Sequence, residues 1–427
     1  MKKVVWILFV FSACAPVPYG GSTSQSGQKR LNLDDQVYEK NIKTVRLFRA
    51  EADPMSQQFP AVTRIGQWNL ILEFDDLHTE RDNYYFRIVH CNQNWTKSVL
   101  MDLDFLTDYN EFPINNFEFS LDTWLPYVHY WAPMPAVKLP GNYVVVVYRG
   151  SDKNDIVLSK RFMVFDPRIS FLRDGNLISS GSAAIRSQQL NFTLNYKNIE
   201  LINPIETVNV TVRQNQRWDN LVQEIKPSFL RENIQELEYR FFDDKSLFRG
   251  GNEFRFFDLR SLNYPGRNVA YMDKNRVPWI AYIDKDKNRS TEAYSQYPDY
   301  NGNFLLDNYD YRRVSASNYI NVAFTLVSPQ PVDGDVYVTG ALTQWGFTNE
   351  NLMRYDSLKK EYSTTLLLKQ GWYDYQYVLR SKTQPPLFFE GSHFQTENFY
   401  EVFVYYRSFQ PAADLLIGYM TFFENPR

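Results

Sequence analysis

From Asn41 onward apolar residues recur at alternate positions, and nowhere over any length do they recur at helical spacing. This period constrains the fold more than any other feature. Successive side chains of a strand point to opposite faces, whereas an amphipathic helix needs apolar residues three and four apart. Leu70-Ile71-Leu72-Glu73-Phe74 alternates and Asp75-Asp76 ends it, while Ile42, Thr44 and Arg46 alternate with Lys43, Val45 and Leu47. Tyr84 to Cys91 reads as a strong strand, and Gly141-Asn142 opens Tyr143-Val144-Val145-Val146-Val147-Tyr148, a buried strand by length and β-branching. Aromatic residues make up 17% of the chain, a share that suits pleated, half-buried surfaces and leaves tyrosines for contact faces.

The expected fold is therefore all-β, a tandem of immunoglobulin-like or fibronectin-like β-sandwiches. At roughly 100–200 residues per domain, a chain of 427 residues has room for two to four. Arg161 to Phe165 closes a first unit and Asp166-Pro167 punctuates it, giving a sandwich over residues 32–167. A second unit, 168–316, places Leu190, Phe192, Leu194 and Tyr196 on one strand face and Val208, Val210 and Val212 on another. Its stretch 257–315 is polar, rich in Tyr and Asn, and reads as long connections. A third unit, 317–427, holds strands near 319–327, 336–340 and 400–406, and a hairpin of Glu361–Leu368 with Trp372–Leu379.

Residues 1–13 have the layout of a signal peptide: Lys2-Lys3, an apolar run from Val4 to Phe11, then Ser12-Ala13. Phe11-Ser12-Ala13-Cys14 resembles a bacterial lipobox, so Cys14 is the expected lipid attachment site, with ordinary signal-peptidase cleavage as the alternative. Residues 14–31, rich in Pro, Gly, Ser and Gln, then form a lipidated tether. No acidic residues follow Cys14 directly, which favours the periplasmic face of the outer membrane.

The chemistry expected is slight. Lys and Arg number 46 against 49 Asp and Glu, so no basic excess points to nucleic acid. None of the four histidines, His78, His90, His129 and His393, sits in a His-x-x-x-His spacing, so no metal site is expected. His90 and Cys91 are strand neighbours that point apart, and Cys91 reads as a buried apolar residue. Asp284-Lys285-Asp286-Lys287-Asn288 has a calcium-loop look, but Arg289 and Ser295 stand where the loop needs Gly and Glu. The adjacent pairs Asp34-Asp35, Asp75-Asp76 and Asp243-Asp244 read as turn chemistry. Neither a nucleophile elbow nor a phosphate loop occurs. No cofactor, small-molecule substrate or enzymatic activity is expected.

Two resemblances sharpen this reading. Val336 to Gly340, Gln344-Trp345-Gly346, Gly371 to Tyr377, Glu390-Gly391 and Thr396-Glu397-Asn398 resemble early-set immunoglobulin-like domains related to glycogen-binding modules. In those modules exposed tryptophans stack on sugars, which makes Trp345 and Trp372 the candidate carbohydrate contacts. The first unit resembles the N-terminal domain of the type IX secretion system plug protein of Bacteroidota. The residues that carry this are Thr44 to Leu47, Leu72 to Leu77, Tyr85 to Asn92 with Trp95 and Ser98, Tyr127 to Tyr130, Gly141 to Val144 and Arg161-Phe162. That resemblance implies a non-enzymatic plug sealing the periplasmic mouth of the outer-membrane translocon β-barrel. The alternative is a carbohydrate-binding outer-membrane lipoprotein. Exposed coplanar rings at Trp345 and Trp372 favour the second reading, buried rings the first.

Overall fold

The computed structural model describes residues 29–173, 186–240 and 247–426. The leader, Cys14, most of the tether, Asp243 and Asp244 lie outside these residues. The described chain is all-β and builds three sandwiches.

In the first sandwich, Ile42–Arg49, Leu70–Asp76, Val128–Pro133 and Asn116–Phe119 pair in that order. The facing sheet runs Gln36–Val37, Ile156–Phe165, Gly141–Arg149, Tyr84–Cys91 and Phe112–Pro113, with Val62–Arg64 parallel to Ile156–Phe165. The run Tyr143–Tyr148 lies in the middle of this sheet, and its two faces enter different cores. Tyr143, Val145 and Val147 pack inside the sandwich with Leu72, Phe74 and Tyr130. Val144 and Val146 pack outward with Cys91, Phe403, Tyr405 and Leu416. An apolar run on both faces thus marks a strand covered on both sides. At roughly 1.5–3 kcal/mol for each fully buried large apolar side chain, this strand is among the largest contributors to the fold.

The middle sandwich sets Ser170–Arg173, Phe192–Asn195, Glu236–Tyr239 and Phe229–Arg231 against Val222–Ile225, Val208–Gln214, Asn398–Arg407 and Asp414–Glu424. The alternating faces read from the sequence fill its core: Leu190, Phe192, Leu194 and Tyr196 meet Val208, Val210 and Val212. The third sandwich sets Arg255–Asp258, Gly371–Arg380, Phe304–Leu306 and Asp335–Thr339 against a sheet centred on Tyr319–Val327 and Glu361–Lys369.

Three expectations change. The last two strands, expected in a unit 317–427, pair with Val208–Gln214, and Tyr400, Val402, Val404 and Ile417 complete the middle core. In exchange, Phe257, Val269, Ala281 and Leu306, expected in a unit 168–316, belong to the third core. Glu361–Lys369 and Gly371–Arg380 are not a hairpin: the chain passes between facing sheets at Gln370, the first strand pairing with Tyr319–Val327 and the second with Asp335–Thr339. Strict alternation also fails in Ile42–Arg49. A bulge between Lys43 and Arg46, with Thr44 at φ 53°, shifts the register so that Ile42, Val45 and Leu47 all face the core.

The sandwiches lock together. Between the first and middle ones, Trp95 and Trp218 meet edge to face at 5.0 Å, and the Arg161 guanidinium lies over both rings. Arg213 lies over Trp218 at 4.1 Å and forms a buried bidentate pair with Glu401 at 2.7 and 2.8 Å. Among the described residues no helix is long and apolar enough to cross a membrane.

Candidate partner-binding face

The joint between the first and third sandwiches is built on a buried charge. Asp75 is a strand residue facing outward from the first sandwich, and the third sandwich covers it completely. Its Oδ2 lies 2.7 Å from the Lys369 Nζ and accepts from the Tyr319 hydroxyl at 2.7 Å, while its Oδ1 accepts from His129 Nδ1 at 2.7 Å. The bulge at Thr44 frees its hydroxyl to meet the Tyr319 hydroxyl at 2.6 Å. Burial alone would raise the Asp75 carboxyl, but the Lys369 charge and the His129 hydrogen bond outweigh it and hold the group far below the usual carboxylate range. The Lys369 ammonium also lies 4.2 Å from the centre of the Tyr127 ring. The Asp75-Asp76 pair, expected as turn chemistry, is instead buried within the strand Leu70–Asp76.

Around this joint four loops close into a ring. Leu121 donates its N–H to the Ser315 carbonyl at 3.0 Å, and the Trp124 N–H bonds Asn318 Oδ1 at 2.8 Å. The Tyr127 hydroxyl lies within 3.3 Å of the carbonyl oxygens of Val314, Ser315 and Ser317. Asp310 accepts from the Ser261 hydroxyl and the Leu262 N–H at 2.6 and 2.7 Å. The Lys274 ammonium reaches the Leu262 carbonyl and covers the Trp279 ring at 4.4 Å, and Trp279 packs 4.4 Å from Trp124. The ring of loops is thus fixed from within. Its loops expose Tyr264, Tyr309 and Tyr311 along with Leu121, Val277 and Val314; Tyr264 and Tyr311 are 76% and 70% accessible. Rigid, amphipathic tyrosines on pre-ordered loops suit a protein interface, because little side-chain freedom is lost on binding. The sequence signal for this face was the Tyr- and Asn-rich stretch 257–315; what it lacked was the partner loop 118–127, which only the fold brings alongside.

The residues singled out from the sequence lie elsewhere. Trp372 is buried, stacked on Phe256 at 4.4 Å and 11°, with its Nε1 donating to Asp374 at 3.0 Å. Trp345 is half-buried, meets Phe254 edge to face at 5.8 Å, and is covered by the Arg217 guanidinium of the middle sandwich at 4.6 Å. The two rings therefore share no open platform on which a sugar could stack. A cleft of about 1080 Å³ opens between the middle and third sandwiches, and neither tryptophan lines it. Cys91 is buried, which pushes its thiol up to about 12 and makes it a poor nucleophile. Its neighbour His90 points the other way, edge to face with Tyr143 at 5.0 Å. In the calcium-like loop, Asp286 is occupied by the Arg255 guanidinium and the Tyr375 and Tyr377 hydroxyls, each at 2.7 Å. Cys14 lies outside the described residues.

Residues 42–166 match the family described as "Type 9 secretion system plug protein 1st domain". These limits take in the first sandwich apart from its edge strand Gln36–Val37, from the start of Ile42–Arg49 to the residue after Ile156–Phe165. The first sandwich is thus similar to the first domain of type 9 secretion plug proteins. The whole chain is similar to a crystal structure of a hypothetical protein from Parabacteroides merdae, at 27% identity and a TM-score of 0.84, over 92% of this chain and 100% of that one. The similarity thus extends beyond the plug domain through the other two sandwiches. No curated protein matches the chain. The match relates the first sandwich to a component of the type 9 secretion system, and the fold around it is all-β.

Proposed function

We propose that the protein is a non-enzymatic plug that binds and seals the periplasmic opening of the type IX outer-membrane translocon barrel. The observation that carries this reading is the plug-domain match over residues 42–166. The architecture supports it. Three sandwiches locked by the Asp75–Lys369 pair and the Trp95–Arg161–Trp218 stack form a rigid body, and a rigid body can block an opening without chemistry. The face that meets the barrel is the ring of loops at the joint of the first and third sandwiches. The interior of an outer-membrane barrel is polar, and tyrosine rings carrying hydroxyls match such a wall better than an aliphatic patch does. Lipidation at Cys14 keeps the protein at the outer membrane and raises its effective concentration at the barrel.

The test is affinity purification of a tagged full-length protein from detergent-solubilised outer membranes, followed by mass spectrometry. Co-purification of a very large β-barrel is expected, with reduced recovery from a Tyr309→Ala/Tyr311→Ala variant. Recovery of glycan-uptake components without a barrel would refute the reading.

A further inference from the structure

Asp76 and Asp75 are adjacent and both fully buried, but only Asp75 has a fixed cation. Asp76 points into the first sandwich at the end of its strand. Its Oδ1 accepts from Asn41 Nδ2 at 2.7 Å and its Oδ2 accepts from the Tyr84 hydroxyl at 2.8 Å, both neutral donors. Among the described residues no lysine or arginine lies within ion-pair distance of it; the basic group that does is the half-exposed His78, whose Nδ1 is 2.9 Å from Asp76 Oδ1. A buried carboxylate without a fixed counter-charge is costly. The surroundings deepen the deficit. Asp82, Glu39 and Asp155 share two cations: Arg149 pairs with all three, and Lys29 with Glu39 and Asp155. Arg81, next in sequence to Asp82, is turned away onto the Phe117 ring at 4.4 Å. Three carboxylates already share these two cations, so neither has a charge to spare for Asp76.

From this we infer a divalent metal site formed by Asp76, His78 and Asp82 in the connection between Leu70–Asp76 and Tyr84–Cys91. One ligand atom of each residue lies within 4.8 Å of the others. At metal–ligand distances of about 2.1 Å, neighbouring ligands at right angles are about 3 Å apart, and the Asp76–His78 separation is 2.9 Å. The ligands are also braced from outside, as metal ligands usually are: Asn41 and Tyr84 orient Asp76, and Arg149 Nε holds Asp82 Oδ2 at 2.9 Å. One imidazole nitrogen with two carboxylates suits a borderline first-row ion such as zinc or manganese, whereas calcium prefers six to eight oxygens. The exposed side of His78 leaves room for water to complete the coordination. The site carries no paired-histidine spacing in the sequence, because carboxylates supply the other two ligands.

Isothermal titration of the purified full chain with zinc chloride tests this. One zinc per chain is expected, with manganese competing. His78→Ala should weaken binding at least ten-fold, and because His78 is half-exposed the variant should fold normally by circular dichroism. His393→Ala should bind as the unaltered protein does. Equal zinc binding by the His78→Ala variant, absence of a saturable 1:1 site in the unaltered chain, or displacement of zinc by equimolar calcium would each overturn the assignment. None of these outcomes bears on the barrel reading, which rests on the plug-domain match and on the exposed loop tyrosines.

Discussion

Lys369→Met removes an ammonium from the joint between the first and third sandwiches while keeping most of the stem's packing. The pair it breaks is buried on both sides, with Nζ and Oδ2 at 2.7 Å and side-chain exposures of 1% and 0%. At an effective dielectric of about 20, unit charges at that separation attract by roughly 6 kcal/mol. Part of this offsets the cost of taking both groups from water, and removing one partner of a buried pair costs about 3–5 kcal/mol because the other charge stays behind. Here Asp75 would keep only Tyr319 and His129. Asp75→Asn strands the lysine instead and should cost about as much. The double variant removes both charges and should be less destabilised than the sum of the singles by about 2 kcal/mol or more, within the range of coupling energies seen for contacting residues. Equilibrium urea unfolding by circular dichroism gives the energies. Hydrogen exchange of Ile42–Arg49 and Glu361–Lys369 shows whether the loss is local to the joint. Single variants that cost under about 1 kcal/mol, or a double variant that equals their sum, would refute the claim that this pair holds the two sandwiches together.

Two pH effects follow from buried groups. Burial lowers the His90 imidazole to about 4, so the folded chain keeps it neutral while the unfolded chain protonates near 6.5. Its contribution is complete above pH 6.5 and is lost as pH falls from 6.5 to 4, by about 3 kcal/mol, and His90→Phe should flatten stability measurements in that window. Against the opposing effect of burial, the Arg255 and Arg289 charges hold the Glu390 carboxyl at about 2, below its ordinary 4.5. That stability is present above pH 4.5 and disappears as pH falls toward 2, so a second acid transition absent from Glu390→Gln is expected in the same titration. Trp372→Ala should cost about 3–5 kcal/mol through the cavity it opens beneath Phe256, with no change in retention on immobilised α-glucan; loss of such retention without loss of stability would revive sugar binding. Tyr309→Ala/Tyr311→Ala should leave the unfolding midpoint within a degree or two and lower barrel recovery.

Individual strands were legible in the sequence whatever their partners. Tyr84–Cys91, Gly141–Arg149 and Tyr319–Val327 each announce themselves by apolar period or β-branched run, because a strand's two faces leave a local signature wherever a core covers them. Which sheet a strand joins leaves no such mark. Asn398–Arg407 is as apolar as a strand of the third sandwich would be, yet it pairs with Val208–Gln214, nearly two hundred residues earlier. Proximity in the sequence argued for the wrong partner, and only the register of Val210 with Val404 and Val212 with Val402 shows how well the two apolar faces match.

The site was hidden for a related reason. Its members are the residues that break the strand pattern. Thr44 sits at a bulge, Asp75 stands at an outward position where a solvated face would carry a charge, and His129 is its cross-strand neighbour. Read one sandwich at a time, they are ordinary polar residues on an outer face. Their burial becomes visible only when the third sandwich lies over them and Lys369 and Tyr319 arrive from its own outward-facing positions. A polar outer face that is fully buried is the mark of a surface made to receive another. The same logic extends to the tyrosines beside it: Tyr309 and Tyr311 belong to loops fixed by the buried joint but reach past it. A partner that binds them therefore meets a surface ordered in advance by Asp75 and Lys369. Weakening that pair should reduce barrel recovery even though neither residue can touch the barrel.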